Sequence, residues 1–473
     1  MSERMTDQDK ATRAAAPESP EPYPLDRIAD EIADAFAAED TPRVKRILEP
    51  LHYADVADLL ERLDVEDRAA LAEIIKRDFN PEILHELDER VRNEIIAKLG
   101  LDNVVAAVRE LDSDDAVNVV EELPEDERKK LLAAMPAEDR AAIRAALAYP
   151  EDSAGRLMQR ELVEVPPRWT VGETVDFMRR TADDEFQDLP EVFYDIFVVD
   201  AGGKPLGAIP LSRLLLSRRQ VPVTDIMETE MQLIPATMDQ EEVAFRFRQR
   251  DLVSAPVVDD EERLVGVITV DDVVDVIQEE NEEDLLHLGG VAESDLHAPP
   301  AETAWRRSHW LLVTLLNNII AAMVISRFEA TIEQMVALAV LMPMVAAMGG
   351  NAGTQVVTVV VRGLATKELS PAHVARVAAK EIGIGALNGI GFALLAGALA
   401  AFWYENTALG AVLGGAMIFN MVWAGLAGTL IPMALVRLRI DPAIAAGPFL
   451  TTTTDVLGFF CFLGLAARFL FGG

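Results

Sequence analysis

The sequence predicts a multi-domain chain. It begins with an all-α N-terminal helical repeat domain and an α/β tandem pair, followed by a long connecting helix and a five-span α-helical transmembrane domain. Three observations predict it. Charge is segregated: of 79 acidic and 43 basic residues, net −36, all but eight of the acids fall in residues 1–300. Five apolar stretches follow one another after residue 300. Two internal duplications, one helical and one mixed, precede them.

Residues 1–24 are polar, with Pro17, Pro20, Pro22 and Pro24 near their end. They read as a disordered tail, and no signal peptide is expected there. Residues 25–150 read as a helical domain with an internal echo. Asp55 to Leu71 resembles Asp115 to Leu131, so that Glu61, Leu63, Arg68 and Leu71 match Glu121, Leu123, Arg128 and Leu131. Leu59, Leu60, Leu63 and Leu71 fit one helix face that packs on a neighbour, and repeated helical pairs predict a solenoid-like bundle of either hand.

Residues 151–270 change character. Phe197-Val198-Val199-Asp200 with Gly207-Ala208-Ile209-Pro210 is echoed by Pro256-Val257-Val258-Asp259 with Gly266-Val267-Ile268-Thr269. Each copy reads as strand, turn, strand, helix, preceded by a helical stretch. This order resembles a tandem pair of CBS domains, a regulatory module that often binds adenine nucleotides. Thr269 and Asp272 have the spacing that in such modules often holds a ribose, whereas the first copy has Pro210 and Arg213 there. Asp272 reads equally well as the cap of the following helix. Residues 271–300 form the connector. Val273, Val274, Ile277, Leu285 and Leu286 make an apolar stripe along one long helix leading to the final block, 301–473.

The acidic half does not favour nucleic acid, which needs Lys and Arg to neutralise phosphates; it attracts cations or keeps the chain soluble. The single cysteine, Cys461, excludes an intrachain disulfide framework. There is no G-x-x-x-x-G-K-[ST] phosphate loop. The six histidines are scattered, so an enzyme is the least expected class.

The apolar stretches, 308–326, 334–361, 382–403, 408–436 and 443–467, are each long enough to cross a hydrocarbon core of about 30 Å. Arg306, Arg307, Arg362, Lys367, Arg376, Lys380, Arg437 and Arg439 fall on one side, and Arg327 and Arg468 on the other. By the positive-inside rule the chain is a multi-pass protein of the cell membrane, with the N-terminus cytoplasmic and the C-terminus outside. Asp455 stands mid-way along the fifth stretch, after four threonines, with no Lys or Arg at comparable depth. A carboxylate there costs a few kcal/mol unless it meets water or a partner. It reads as lining a cation path, with a protonated, hydrogen-bonded Asp as the alternative. In the second stretch, Gly349-Gly350-Asn351-Ala352-Gly353-Thr354-Gln355 brings neutral oxygens to similar depth. Pro343, Pro432 and Pro448 predict kinks.

One acid with amide and hydroxyl oxygens suits a largely hydrated Mg²⁺, which sheds water reluctantly. Ca²⁺, Mn²⁺ and Co²⁺ are not excluded by this reasoning. Two copies of Asp455 across a twofold axis would double the charge, which predicts a homodimer in the bilayer.

At these residues the chain resembles the MgtE family of magnesium channels, over nearly all of residues 25–473. The resemblance implies that Asn351 and Asp455 line the ion path, with Thr354 nearby; Gly447 stands where some members have an Asn. It also implies that cytoplasmic Mg²⁺ is sensed by acids at domain interfaces. These are Asp239, Glu241 and Asp251 in the second CBS copy and Asp272, Asp275, Glu283 and Asp284 on the connecting helix. Glu381 and Asp441 at the membrane surface and either Asp114 or Asp115 in the N-domain complete the set. Asp272, Asp275, Glu279 and Glu283 share roughly one helix face by spacing, so bound Mg²⁺ would screen their repulsion. The implied function is Mg²⁺ uptake through a channel shut by internal Mg²⁺. Two rival readings are a secondary transporter coupled to H⁺ or Na⁺ and a membrane-tethered nucleotide receptor built on the CBS pair.

Overall fold

The computed structural model describes residues 25–182, 189–190, 192–291, 300–369 and 373–472; the expected tail lies outside them. The chain divides into two compact units, Met1–Val276 and Ile277–Gly473.

The first unit begins with short helices: α1 (Leu25–Ala37), α2 (Thr41–Leu48), α3 (Tyr53–Arg62), α4 (Val65–Ile75), α5 (Glu82–Glu86), α6 (Glu89–Leu99), α7 (Leu101–Glu110), α8 (Ser113–Glu121), α9 (Glu125–Ala134) and α10 (Ala137–Ala146). Each packs on helices one to three places along the chain, and they share one apolar core from Ile32 to Ala146. The sequence echo has a physical meaning. Arg68 is buried and donates to the carbonyls of Leu60 and Leu63, while its guanidinium pairs with Glu94. Arg128 donates to the carbonyl of Leu123, five residues back like Leu63. A third copy, unseen in the sequence, is Arg92, buried and bonded to the carbonyls of His85 and Leu87 and to Glu122. In each copy a guanidinium, buried in Arg68 and Arg92 and part-buried in Arg128, bonds carbonyl oxygen that one helix end leaves without an intrahelical partner.

After α11 (Ala154–Leu157) come two three-stranded sheets of identical plan. In the first, β1 (Val163–Val165) pairs parallel with β2 (Asp195–Val199), which pairs antiparallel with β3 (Pro205–Pro210). The second repeats this with β4 (Ile234–Pro235), β5 (Ser254–Val258) and β6 (Leu264–Thr269). Phe197 faces Ala208 and Pro256 faces Val267, and both ladders slip register at the same place, Val198/Val199 and Val257/Val258. The helices expected before each copy are α12 (Val171–Ala182) and α14 (Gln240–Arg250), with α13 (Leu211–Leu216) after β3. α15 (Val270–Gly289) is the single long helix expected of the connector, and the boundary between the units falls within it.

The second unit continues with α16 (Pro300–Ser326), the short α17 (Glu329–Gln334), α18 (Ala337–Ala365), α19 (Val374–Trp403), α20 (Thr407–Arg437) and α21 (Pro442–Leu470). Five of these are long and apolar enough to cross a membrane, each longer than the stretch read from the sequence. α20 is the most enclosed and α16 the least; α19, α18 and α21 pack around α20. Small residues set the spacing. Gly397 lies against the Gly410 backbone, and Gly425 against the Glu381 carbonyl, so a Cβ at either position would meet backbone atoms. Pro343, Pro432 and Pro448 sit inside continuous helices.

Candidate functional site

α18 and α21 carry the polar residues expected of an ion path, and they pack directly together. A Cβ on Gly353 would strike Leu450 at 2.7 Å, so glycine sets the approach. Asn351, Thr354, Gln355 and Thr358 are exposed on the opposite side of α18. Their spacing of three and four places them on one face. Asp455 is half-buried on α21, and among the described residues no hydrogen bond or ion pair engages it. The threonines before it are spent on their own helix: Thr451 donates to the Gly447 carbonyl, Thr452 to Pro448 and Thr453 to Leu450. Asn317 of α16 also donates to the Pro448 carbonyl, at 3.3 Å, tying the first span to the fifth.

One residue that the sequence reading missed organises this region. Asn420 of α20 is fully buried, and its amide donates to the Val345 carbonyl of α18 at 2.9 Å. Its Oδ1 has no partner among the described residues. A Cβ at Gly349 on α18 or at Gly458 on α21 would run into the Asn420 amide. Three spans therefore meet at one amide, two residues from Asn351 and three from Asp455. Gly349→Ala is expected to destabilise the folded protein in detergent by about 1–3 kcal/mol through overpacking. A thermal unfolding midpoint equal to wild type would show that the amide simply swings aside.

A second group lies where α15 ends and α21 begins. Asp441 caps α21, its Oδ1 accepting from Ala443 N at 2.7 Å, while its Oδ2 lies 3.2 Å from His287 Nδ1. The other imidazole nitrogen of His287 is 3.5 Å from Glu283. Burial, with Asp441 nearby, holds the Asp284 carboxyl above its ordinary range. Glu381 is buried on α19, its backbone carbonyl against Gly425.

The third group belongs to the first unit, where the start of α8 meets α15. Asp114 is buried, and desolvation together with the fields of Asp272 and Asp115 pushes its carboxyl well up. Asp115 is raised to about 7, by burial first and then by Glu82 and Asp112. Asp272 is likewise raised to about 7 by burial, with Asp271 and Asp115 adding to it. Asp275 is raised by burial too. His85 Nδ1 sits 3.1 Å from Asp115 Oδ1, and burial lowers its pKa. Both candidate N-domain acids thus enter the same cluster.

These raised carboxyls make stability depend on pH. In the unfolded chain they titrate near 4, and in the folded one Asp115 and Asp272 titrate near 7. The folded state holds more protons between those values, so its stability falls as pH rises through that window. Without divalent ions, the thermal midpoint of the protein is expected to be higher at pH 5.5 than at pH 8. Mg²⁺ is expected to raise the midpoint more at pH 8 than at pH 5.5. A midpoint that rises with pH in chelator would contradict the placement of these groups.

Other expected sensor acids have plain structural duties. Asp239 caps α14, accepting from Glu241 N at 3.0 Å. Asp251 ends α14 in the left-handed conformation, φ 54°. Asp272 accepts from both the hydroxyl of Thr269, at 2.7 Å, and its amide, at 3.3 Å. The Thr269–Asp272 pair therefore satisfies itself as a helix start, and the cleft beside Thr269 has only about 10 Å³ of free space. Among the described residues, no three His, Cys, Asp or Glu side chains stand ready as a metal cage.

Comparison with known proteins gives the family. Family models match residues 342–465 as a divalent cation transporter, 51–152 as the MgtE intracellular N domain and 223–279 as a CBS domain. The magnesium transporter MgtE of Thermus thermophilus is 32% identical over 452 residues, covering 94% of this chain and 99% of that protein. The chain belongs to the MgtE family. The Bacillus subtilis magnesium transporter MgtE is 30% identical over 427 residues, covering 90% of this chain and 94% of that protein. A solved structure, the cytosolic domain of the Mg²⁺ channel MgtE in complex with ATP, is 32% identical with a TM-score of 0.48. It covers 52% of this chain and 99% of that one.

Within this MgtE-family chain, sequence reasoning did not pick out Asn317, Thr358, Asn420, His85 or His287. A lone Asn in an apolar span looks like stray polar glue, and scattered histidines carry no spacing signal.

Proposed function

We propose that this chain takes up Mg²⁺ through a homodimeric channel in the cell membrane, and that Mg²⁺ on the N-terminal, cytoplasmic side closes it. The observation that carries the reading is the polar face of α18. Asn351, Thr354, Gln355 and Thr358 are exposed on a membrane-length helix packed against the one that carries Asp455. The Thr354 and Thr358 hydroxyls donate within α18, to the Gly350 and Thr354 carbonyls, so the cost of facing lipid falls chiefly on the Asn351 and Gln355 amides. A second copy, with water between the two, gives that face its partner and sets two Asp455 carboxylates around one path. Asn351 and Thr354 supply neutral oxygens beside them. These are hard, oxygen-only donors, the set that suits a hydrated Mg²⁺. Inward movement gains ~2.3 kcal/mol per unit charge per 100 mV, so a dication gains about twice that with no other energy source.

Closure rests on the two acid groups outside the spans. Carboxylates pushed up in pKa by burial and by neighbouring charge, here Asp114, Asp115, Asp272, Asp275 and Asp284, are those that a divalent cation would stabilise most. Asp114, Asp115, Asp272 and Asp275 could share ions in the first unit, and Glu283, Asp284 and Asp441 in the second; His85 and His287 stand beside them. Filling these groups compacts the domains and fixes α15. Asp239, Glu241, Asp251 and Glu381 have weaker support, since Asp239 is engaged as a cap and Glu381 is buried.

The test is ion flux in proteoliposomes against a panel of divalent cations, with Mg²⁺ varied on the cytoplasmic side and the voltage set. Mg²⁺ influx that follows voltage and is suppressed by cytoplasmic Mg²⁺ is the expected result. Uphill uptake driven by a pH or Na⁺ gradient at zero voltage would replace the channel with a coupled transporter. In the same assay, Asp114→Asn combined with Asp272→Asn should move the inhibitory Mg²⁺ concentration upward by about tenfold or more, if each lost charge weakens binding by roughly 1 kcal/mol. An unchanged inhibition curve would remove the first-unit cluster from gating.

A further inference from the structure

α18 is seated on its neighbours along one seam, and the contacts there differ in kind. Gly349 receives the Asn420 amide of α20, Gly353 receives Leu450 of α21, and Val356 rests on Gly428 of α20. Val345, Gly349, Gly353, Val356 and Val360 are buried along this seam, at spacings of three or four, while Asn351, Thr354, Gln355 and Thr358 are exposed on the other side. Close packing of small residues sets how near two helices come. It holds their register only loosely, because a slip of one residue moves a helix by about 1.5 Å and turns it by about 100°.

The bond from the Asn420 amide to the Val345 carbonyl, 2.9 Å long, has direction. Among the described residues it is the one side-chain hydrogen bond that joins α18 to another span, since the Thr354 and Thr358 hydroxyls bond within their own helix. Asn420 is fully buried, and its Oδ1 has no partner among the described residues. A leucine would fill the same space without leaving a polar oxygen in an apolar interior. What the amide supplies and a leucine does not is a fixed place for the Val345 carbonyl. On its other side the same amide meets α21, where a Cβ at Gly458 would stand 2.7 Å from Asn420 Nδ2. Gly349 lies two residues from Asn351 and Gly458 three from Asp455, about 3 and 4.5 Å along their helices. One side chain is therefore the common reference for both polar groups.

We propose that Asn420 is a positioning residue of the ion path. Through one rigid amide it holds the Asn351 face of α18 and Asp455 of α21 in register, and so sets how well the path recognises Mg²⁺. The inference rests on the path reading above. Full burial keeps Asn420 from the ion itself, so it acts through Val345, Gly349 and Gly458. Mg²⁺ demands near-ideal octahedral geometry, whereas Ca²⁺ accepts irregular shells, so an error of register costs Mg²⁺ more than Ca²⁺.

The test is Mg²⁺ and Ca²⁺ flux in proteoliposomes at set voltage with Asn420→Leu, which keeps the volume and removes the donor. The half-saturating Mg²⁺ concentration is expected to rise about fivefold, the effect of losing one interhelical hydrogen bond. The Mg²⁺-to-Ca²⁺ flux ratio is expected to fall, with the thermal midpoint close to wild type. Thr429→Val should change neither, since Thr429 is another buried polar residue of α20 whose hydroxyl bonds within its own helix, to Gly425. Should Asn420→Leu fail to fold, Asn420→Ala combined with Gly349→Ala decides, because the added methyl takes the room that the amide leaves. That pair should recover the midpoint lost in Asn420→Ala and leave the half-saturating concentration high. Wild-type half-saturation and flux ratio in the folded variant, or an equal change in Thr429→Val, would overturn the proposal. Asp455→Asn, run alongside, separates the two readings. If it conducts like wild type, the path falls and the positioning role with it; if it fails to conduct while Asn420→Leu behaves as wild type, the positioning role alone falls.

Discussion

Asp455→Asn is expected to lower Mg²⁺ influx into proteoliposomes by at least about 100-fold while leaving the protein folded. The side chain keeps its size and loses its charge. Two unit charges at 4 Å interact by about 4 kcal/mol at an effective dielectric near 20, and a dication doubles that. Even after most of this is lost to the ion's retained water, roughly 3 kcal/mol remains, which is the hundredfold. Asp455→Glu, which restores the charge on a longer stem, should recover a measurable part of the flux. The polar face of α18 makes a second, graded arm: Asn351→Ala should act in the same direction and more weakly, because it removes a neutral oxygen. Wild-type flux in Asp455→Asn, with size-exclusion behaviour intact, would remove this carboxylate from the path.

Arg92→Ala is expected to cost the first unit about 3 kcal/mol, near the lower end of what breaking a buried ion pair costs. The guanidinium is buried and serves the carbonyls of His85 and Leu87 together with Glu122 and Asn118. Glu122 is 37% exposed and can turn to water, which is why the figure stays at that end. Losing the arginine leaves two carbonyls unpaired at the end of α5. For a unit of this size the unfolding midpoint should fall by about 6–12 °C. Arg92→Lys should restore little, since an ammonium lacks the planar fork that serves several acceptors at once. A midpoint within a degree of wild type would mean that the helical repeats hold without their arginines.

What the sequence made legible follows from which interactions have a period. The spans announced themselves because apolar length is a local property. The mixed duplication was readable because strand, turn, strand and helix recur in order, and the paired register of β2–β3 and β5–β6 bears it out. Asp455 stood out because a lone acid in an apolar helix carries a cost that either a cation path or protonation must meet. Asn420 was invisible for the complementary reason: its meaning lies in Gly349 and Gly458, on two other helices, and no spacing within α20 points to them. The acids of the regulatory groups were half legible. Their number could be read, but Asp239-Gln240-Glu241 has the same form whether Asp239 binds an ion or caps a helix, and only the 3.0 Å bond to Glu241 N reveals the cap.

The two oxygens of Asp441 have different employers, one holding the first turn of α21 and the other meeting His287. Asparagine can fill the first post and not the second. A single-base change of codon could therefore retune the charge at this junction while the helix still starts at the same residue. On the proposed reading of this junction, ion sensitivity and helix start are then separable at a single residue.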